Sequence, residues 1–179
     1  MMKSTRYVID TNVLIAASAV DPNSAIAKDA TPDLPEQRQI VNDWLFAFEQ
    51  SDARMVLDGE GKIYEEYNNK LGFNDYGIQV VMHKWSTAAV DTMDILYDDN
   101  GHAYLDEPLV LAIHDLSDRK LVATVLEALS SMGECLIANA GDTDWYDWEE
   151  ALTLAGIEVE QIIHEWAYAK WQEKKQRGH

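Results

Sequence analysis

Short unbroken apolar runs alternate with longer amphipathic stretches along this chain. Arg6 to Asp10 is too short for a buried helix and reads as a core strand. Val13 to Ala19 follows as a helix, with Thr11 or Asn12 as its cap. Asp21 to Pro35 holds three of the four prolines and reads as a loop. Glu36 to Gln50 is a helix with Ile40, Val41, Trp44, Leu45 and Phe48 on one face. Arg54 to Asp58 is a second strand. Gly59 and Gly61 turn the chain, and Ile63 to Leu71 returns as a helix.

Ile78 to Trp85 reads as helical. Asp91 to Glu107 is acidic and polar, with a turn at Asp98-Asp99-Asn100-Gly101. Pro108 starts a short helix through Ile113. Ser117 caps a longer one, with Leu121, Val122, Val125, Leu126 and Leu129 on its apolar face and Gly133 at its end. Cys135 to Asn139 is a third core strand. Trp145 to Ala155 is a helix ending at Gly156, Ile157 to Val159 a fourth strand, and Gln161 to Lys175 a helix with a basic end. Strands separated by helices predict an α/β fold with a mainly parallel, doubly wound sheet.

The 179 residues suit one domain, spanning 1–179 with a C-terminal helix over 160–179. Cys135 is the one cysteine, so no internal disulfide forms, which fits a reducing cytoplasm. Met1 to Arg6 lacks the apolar stretch of a signal peptide. The longest apolar region, Val13 to Val20, is too short to span a membrane. A soluble cytoplasmic protein is expected. The net charge of -18 argues against tight, non-specific binding of nucleic acid, which relies on Lys and Arg. It leaves open a site where a few carboxylates converge on a metal ion, because a bound divalent cation dominates the local field.

In open parallel sheets, ligands sit at the carboxyl ends of the strands. Asp10 ends the first strand, and Asp142 and Asp144 follow the third. Asp118 opens the helix before that strand, and Glu65 and Glu66 lie on the helix after the second. Carboxylates brought into one cleft repel each other unless a cation compensates, and hard oxygen ligands favour Mg²⁺ or Mn²⁺. Such ions suit phosphodiester hydrolysis by a metal-activated water. His83, His102, His114, His164 and His179 show no metal-ligand spacing.

Each acidic residue also has a plain structural use. Asp10 and Asp144 can cap helices, Asp118 suits a first helical turn, and Asp142 suits the turn at Gly141. Neighbours on a helix point about 100° apart, so one glutamate faces the cleft; Glu66 is favoured over Glu65. Trp145 and Trp148 read as core, with base stacking as the lesser reading. Arg119 and Lys120 are the phosphate-contact candidates. Lys170, Lys174, Lys175 and Arg177 form either a phosphate patch or a favourable helix end. A phosphoacceptor receiver domain also places aspartates at strand ends. It expects an acidic pair near the start of the chain and a lysine after the last strand, and neither stands out.

Four segments in order resemble the PIN-domain ribonucleases: Val8-Ile9-Asp10-Thr11-Asn12-Val13-Leu14-Ile15, Ile63-Tyr64-Glu65-Glu66-Tyr67, Asp118-Arg119-Lys120-Leu121, and Ile137 to Trp145. No one of them is specific, and the ordered set carries the resemblance. It implies a three-layer α/β/α sandwich and Mg²⁺- or Mn²⁺-dependent cleavage of RNA. Asp10, Glu66, Asp118 and Asp142 are then catalytic, with Asp10, Asp118, Asp142 and Asp144 on the metal and Thr11 and Asn12 in positioning roles. Many bacterial members are toxins held by an antitoxin, and many are homodimers, so an antitoxin partner and a homodimer are implied. The alternative is a catalytically weak or inactive PIN-like module that binds a protein partner. The longer segments Asp21 to Pro35 and Asp75 to Glu107, and the acidic charge, depart from minimal members.

Overall fold

The computed structural model describes residues 2–178. Met1 and His179, the two ends of the expected domain, lie outside the described residues. Five strands form one sheet: β1 (Arg6–Ile9), β2 (Arg54–Asp58), β3 (Val90–Met93), β4 (Leu136–Asn139) and β5 (Val159–Gln161). Their order is β3-β2-β1-β4-β5 and every pairing is parallel. The helices are α1 (Thr11–Ser18), α2 (Pro35–Gln50), α3 (Lys62–Lys70), α4 (Tyr76–Ser86), α5 (Leu109–Ala112), α6 (Arg119–Ser131), α7 (Asp144–Asp147), α8 (Glu149–Leu154) and α9 (His164–Arg177). Helices α1, α2 and α4 pack on one another, and α6 lies against β1 to β4. Right-handed crossovers put helices of the β1-β2-β3 half and the β4-β5 half on opposite faces. The result is the expected three-layer α/β/α sandwich.

The central strands are buried on both faces, so Tyr7-Val8-Ile9 and Leu136 to Asn139 read as continuous apolar runs. Helix α2 buries Val41, Leu45 and Phe48 at helical spacing, while Ile40, expected on that face, is exposed. Helices α1 and α4 cross closely at Gly77, where an added Cβ would sit 2.7 Å from the Leu14 Cβ. The Gly77 amide donates to Ser18 Oγ at 2.7 Å across that crossing. The loop between α1 and α2 contains neither helix nor strand, and Arg38 organises it. Its guanidinium donates to the carbonyls of Ala19, Ala27, Ala30 and Pro32.

Several elements depart from the pattern-based expectation. Strand β3 lies inside the acidic stretch and was not anticipated. It is an edge strand, and Met93 is its one buried residue, so it carries no apolar run. Its Asp91 has a structural duty. Arg6 and Arg54 are register partners on β1 and β2, and like charges in that position repel. Asp91 Oδ2 takes Arg6 Nε at 3.2 Å and Arg54 Nε at 2.9 Å, and its Oδ1 takes Arg54 Nη2 at 3.0 Å. The helix expected over 145–155 is two short helices, α7 and α8, with Trp148 between them. Strand β5 is displaced to Val159–Gln161, where Tyr7 Oη (2.7 Å) and Trp44 Nε1 donate to the buried Glu160 carboxylate. The last helix accordingly starts at His164.

Candidate active site

Strand order reverses direction at β1: the chain steps outward to β2 and β3, then returns to place β4 on the other side of β1. The crevice beyond the carboxyl ends of β1 and β4 is therefore the topological switch point. Asp10 leaves β1 at this crevice, and Asn139 to Asp144 leave β4 there.

Asp10, not Thr11 or Asn12, caps α1. Its extended backbone ends the strand, and its Oδ1 accepts the Asn12 amide at 3.2 Å. The Asp10 amide donates to the Ala138 carbonyl at 3.0 Å, which extends the β1-β4 ladder by one step. The second carboxylate oxygen takes Trp145 Nε1 at 2.7 Å. Trp145 is fully buried and meets Trp148 edge-on at 5.0 Å, so the indole that aims Asp10 is itself locked by packing.

Thr11 and Asn12 hold the neighbouring parts together. Thr11 Oγ1 donates to Glu66 Oε2. Asn12 Oδ1 accepts the amides of Ala140 (2.8 Å) and Gly141 (3.2 Å), and its Nδ2 donates to Asn139 Oδ1 at 2.9 Å. The segment bearing Asp142 is thus fastened directly to the segment bearing Asp10. Asn139 adds a bond from Nδ2 to the Asp142 carbonyl at 2.8 Å. Asp142 Oδ1 accepts the Asp144 amide at 2.9 Å, so the turn role of Asp142 is also present.

Glu66 is set by α3. Asp58, at the end of β2, accepts the amides of Lys62 (2.9 Å) and Ile63 (2.8 Å) and so starts the helix. Gly61 precedes it at φ +79, a left-handed conformation that favours glycine. Ile63 and Tyr67 are buried, and the Tyr67 hydroxyl donates to the Ile9 carbonyl at the end of β1. Glu66 therefore faces β1 and Lys120 Nζ, which it meets at 3.0 Å, while Glu65 is exposed.

Asp118 lies at the N-cap position of α6 but makes no capping hydrogen bond. The cap role read for Ser117 is also absent, since Ser117 instead donates through its amide (2.9 Å) and hydroxyl (2.6 Å) to Asp115 Oδ1. Asp118 is 7% exposed and Asp10 6%. Burial, then the charge of Asp142, pushes the Asp10 carboxyl above the ordinary aspartate range, against the pull of the Trp145 and Asn12 hydrogen bonds. Burial, then the charges of Asp10, Asp115, Asp142 and Glu66, pushes Asp118 up further. Asp142 is raised as well, mainly by burial. Among the described residues none of these three carboxylates forms an ion pair. Nor does any set of three His, Cys, Asp or Glu gather tightly enough to be a ready-made cation cage.

Three candidates stand differently from expectation. Asp144 is the first residue of α7 and lies at the rim, with Oδ2 3.8 Å from His114 Nε2. Arg119, read as a phosphate contact, turns away: Nε donates to the Ile113 carbonyl (3.1 Å) and Nη2 to the Val110 carbonyl (2.9 Å), which fastens α5 to α6. Lys120 is engaged with Glu66 and the Ser117 carbonyl. Asp115, Asn139 and Trp145 were missed as contributors. Asp115 acts on both Asp118 and Asp142 through its charge, and its signal was an Asp-x-Ser turn just before the helix. Trp145 was read as core and also orients Asp10; no spacing rule would have shown that.

The chain matches no protein-family model, no curated protein and no solved structure.

Proposed function

We propose that this protein is a divalent-metal-dependent ribonuclease of the PIN type. The reading rests above all on Asp118: a buried carboxylate with no capping hydrogen bond and no ion pair, close enough to Asp10 and Asp142 to feel their charges. A carboxylate used only to start a helix would face the helix amides. The ordered motifs and the α/β/α sandwich support the same reading.

The donor set fits Mg²⁺ or Mn²⁺ in charge and hardness, being all carboxylate oxygen. Asp10, Asp118 and Asp142 would hold the ion, with Asp144 at the rim. When bound, such an ion lowers the pKa of an attacking water and offsets charge on the phosphate. The chain's own residues supply orientation. Trp145 and the Asn12 amide aim Asp10. Asn12 and Asn139 fix the Asp142 segment against β1. Thr11 and Lys120 hold Glu66 in place, leaving its carboxylate to order water or a proton beside the cleft. A cellular role as the toxin of a toxin–antitoxin pair, with an antitoxin or a second copy as partner, belongs to this proposal.

Asp10→Asn keeps a residue that caps well and should abolish Mn²⁺-dependent cleavage of RNA with the fold intact by circular dichroism. Full activity in that variant would overturn the assignment. The Lys120–Glu66 pair favours a second reading, an inactive PIN-like module that binds a protein, because it places a cation of the chain's own beside the cleft. Calorimetric titration separates the two: no heat of Mn²⁺ binding at millimolar ion supports the second.

A further inference from the structure

We propose that the face of α9 beside the acidic cleft binds single-stranded RNA and leads it to the site; this rests on the ribonuclease reading above. Of 14 Lys and Arg residues, Lys170, Lys174, Lys175 and Arg177 fall in the last turns of α9. Much of the remaining positive charge is engaged elsewhere. Arg6 and Arg54 hold Asp91, Lys120 holds Glu66, and Arg38, Lys84 and Arg119 serve backbone carbonyls. Within α9, Lys170 and Arg177 share Glu173 at 3.8 and 3.3 Å, so Lys174 is the cation of this helix end without an acidic partner among the described residues.

The same helix carries His164, Tyr168 and Trp171 at i, i+4 and i+7, one face of a helix. Their rings form a near-parallel staircase. His164 and Tyr168 centroids are 5.3 Å apart at 27°, and those of Tyr168 and Trp171 are 5.5 Å apart at 30°. Tyr146 braces the staircase from α7, and Trp171 Nε1 donates to Asp147 Oδ1 at 2.9 Å, which fixes the indole plane. Tyr168 is nevertheless 39% exposed. A hollow of about 290 Å³ lies at the basic end, lined by Thr143, Asp144, Asp147, Trp171, Lys174 and Lys175.

This hollow adjoins the acidic cleft. Lys174 Nζ donates to Thr143 Oγ1 at 2.7 Å, one residue from Asp142, and its charge acts on the Asp142 carboxyl. Its partner there is a neutral hydroxyl, so Lys174 can take a phosphate without breaking an ion pair. Lys175 is paired with Asp147 at 2.7 Å. Basic residues at a helix C-terminus are favourable anyway, but that does not account for a ring staircase joined to them. Cations interleaved with aromatic rings recognise phosphates and unpaired bases. A duplex hides its base faces, so a single strand is the occupant.

The test is fluorescence anisotropy of a labelled oligouridylate, in chelator so that no cleavage intervenes. The wild-type chain should bind it and bind an RNA duplex of equal length far more weakly. Trp171→Ala and Lys174→Gln should each weaken binding about tenfold, within the range for losing one stacked base or one phosphate contact. Lys28→Gln, at an exposed lysine of the α1–α2 loop, should leave binding unchanged. Trp171→Phe should restore most of the affinity, which separates stacking from loss of fold. Absence of binding, equal binding of duplex, or indifference to both α9 substitutions overturns the proposal. So does self-association of the chain through this face, seen by sedimentation and lost in Trp171→Ala, without RNA binding. Cleavage by a chain whose binding ignores α9 overturns this proposal alone; binding without any Mn²⁺-dependent cleavage overturns the ribonuclease reading alone.

Discussion

At the amino-terminal end of the sheet, Arg6 and Arg54 face each other in register and share one carboxylate, Asp91. At the carboxyl-terminal end, Asp10, Asp118 and Asp142 act on one another through their charges without an ion pair among the described residues. The carboxylates of both sets are largely removed from water, and burial alone would raise every one of them. For Asp91 the hydrogen bonds and charges of Arg54 and Arg6 outweigh burial and hold it below the usual range. For Asp10 and Asp118 burial and mutual repulsion act together and hold them above it. The first arrangement neutralises charge to keep strands in register. The second gathers carboxyls whose repulsion is relieved by uptake of protons or by a bound cation. A fold serving stability alone has little reason to build the second.

The largest expected effect is on chemistry. Asp118→Asn should lower Mn²⁺-dependent RNA cleavage by at least about 100-fold, the scale on which lost metal-site groups act. The same substitution should leave the metal-free chain more stable at neutral pH, because Asn has no carboxyl that must take up a proton to be buried. Asp91→Asn should do the opposite. It leaves two register-paired arginines facing each other and should cost about 1–3 kcal/mol, less than a fully buried pair because Arg54 is partly exposed. A fall of roughly 2–10 °C in melting temperature would report it. Equal effects at the two ends would erase the contrast.

A pH series sharpens the comparison further. Carboxyls raised in the folded state bind protons more tightly there than in the unfolded chain. Their contribution is complete below the ordinary value of 3.8 and is lost as pH rises through the raised range of the Asp10 and Asp118 carboxyls. The metal-free chain should therefore lose stability progressively as pH rises above about 4. Saturating Mn²⁺ should flatten that fall, since it binds the folded site alone. Asp91 gives the reverse trend, with stability lost as pH falls below its ordinary value toward its depressed one. Thermal melts at matched ionic strength separate the two. Lys120→Gln should cost about 1–3 kcal/mol, because the Lys120 and Glu66 side chains are only 11% and 18% exposed and the change leaves Glu66 without its cation.

The sheet, its parallel sense and the layers were legible because central strands are apolar runs and the main helices keep their period. The switch point followed from them, and with it Asp10, Asp118 and Asp142. Helical geometry allowed only one of Glu65 and Glu66 to face the cleft, and Glu66, the one preferred, meets Thr11 and Lys120 there. The failures have physical causes too. Strand β3 is an edge strand whose Asp91 answers to charge rather than burial, so no apolar run marked it. Arg119 was nominated by adjacency to Asp118, yet adjacency on a helix means a different direction, and the side chain runs to the α5 carbonyls. No Gly or Pro marks the break between α7 and α8. Trp145 orients Asp10 across 135 residues of chain, a relation that pattern alone does not carry.

The central claim is that the charge collected at the carboxyl end of the sheet is there to hold a divalent cation for cleavage of RNA. It is tested most directly by cleavage of a labelled single-stranded RNA by wild type and Asp118→Asn, with and without Mn²⁺. The account predicts Mn²⁺-dependent, chelator-reversible cleavage by the wild type and none by the variant, whose metal-free melting temperature is no lower than that of the wild type. Equal cleavage by both chains, or no Mn²⁺-dependent cleavage by the wild type, would contradict it.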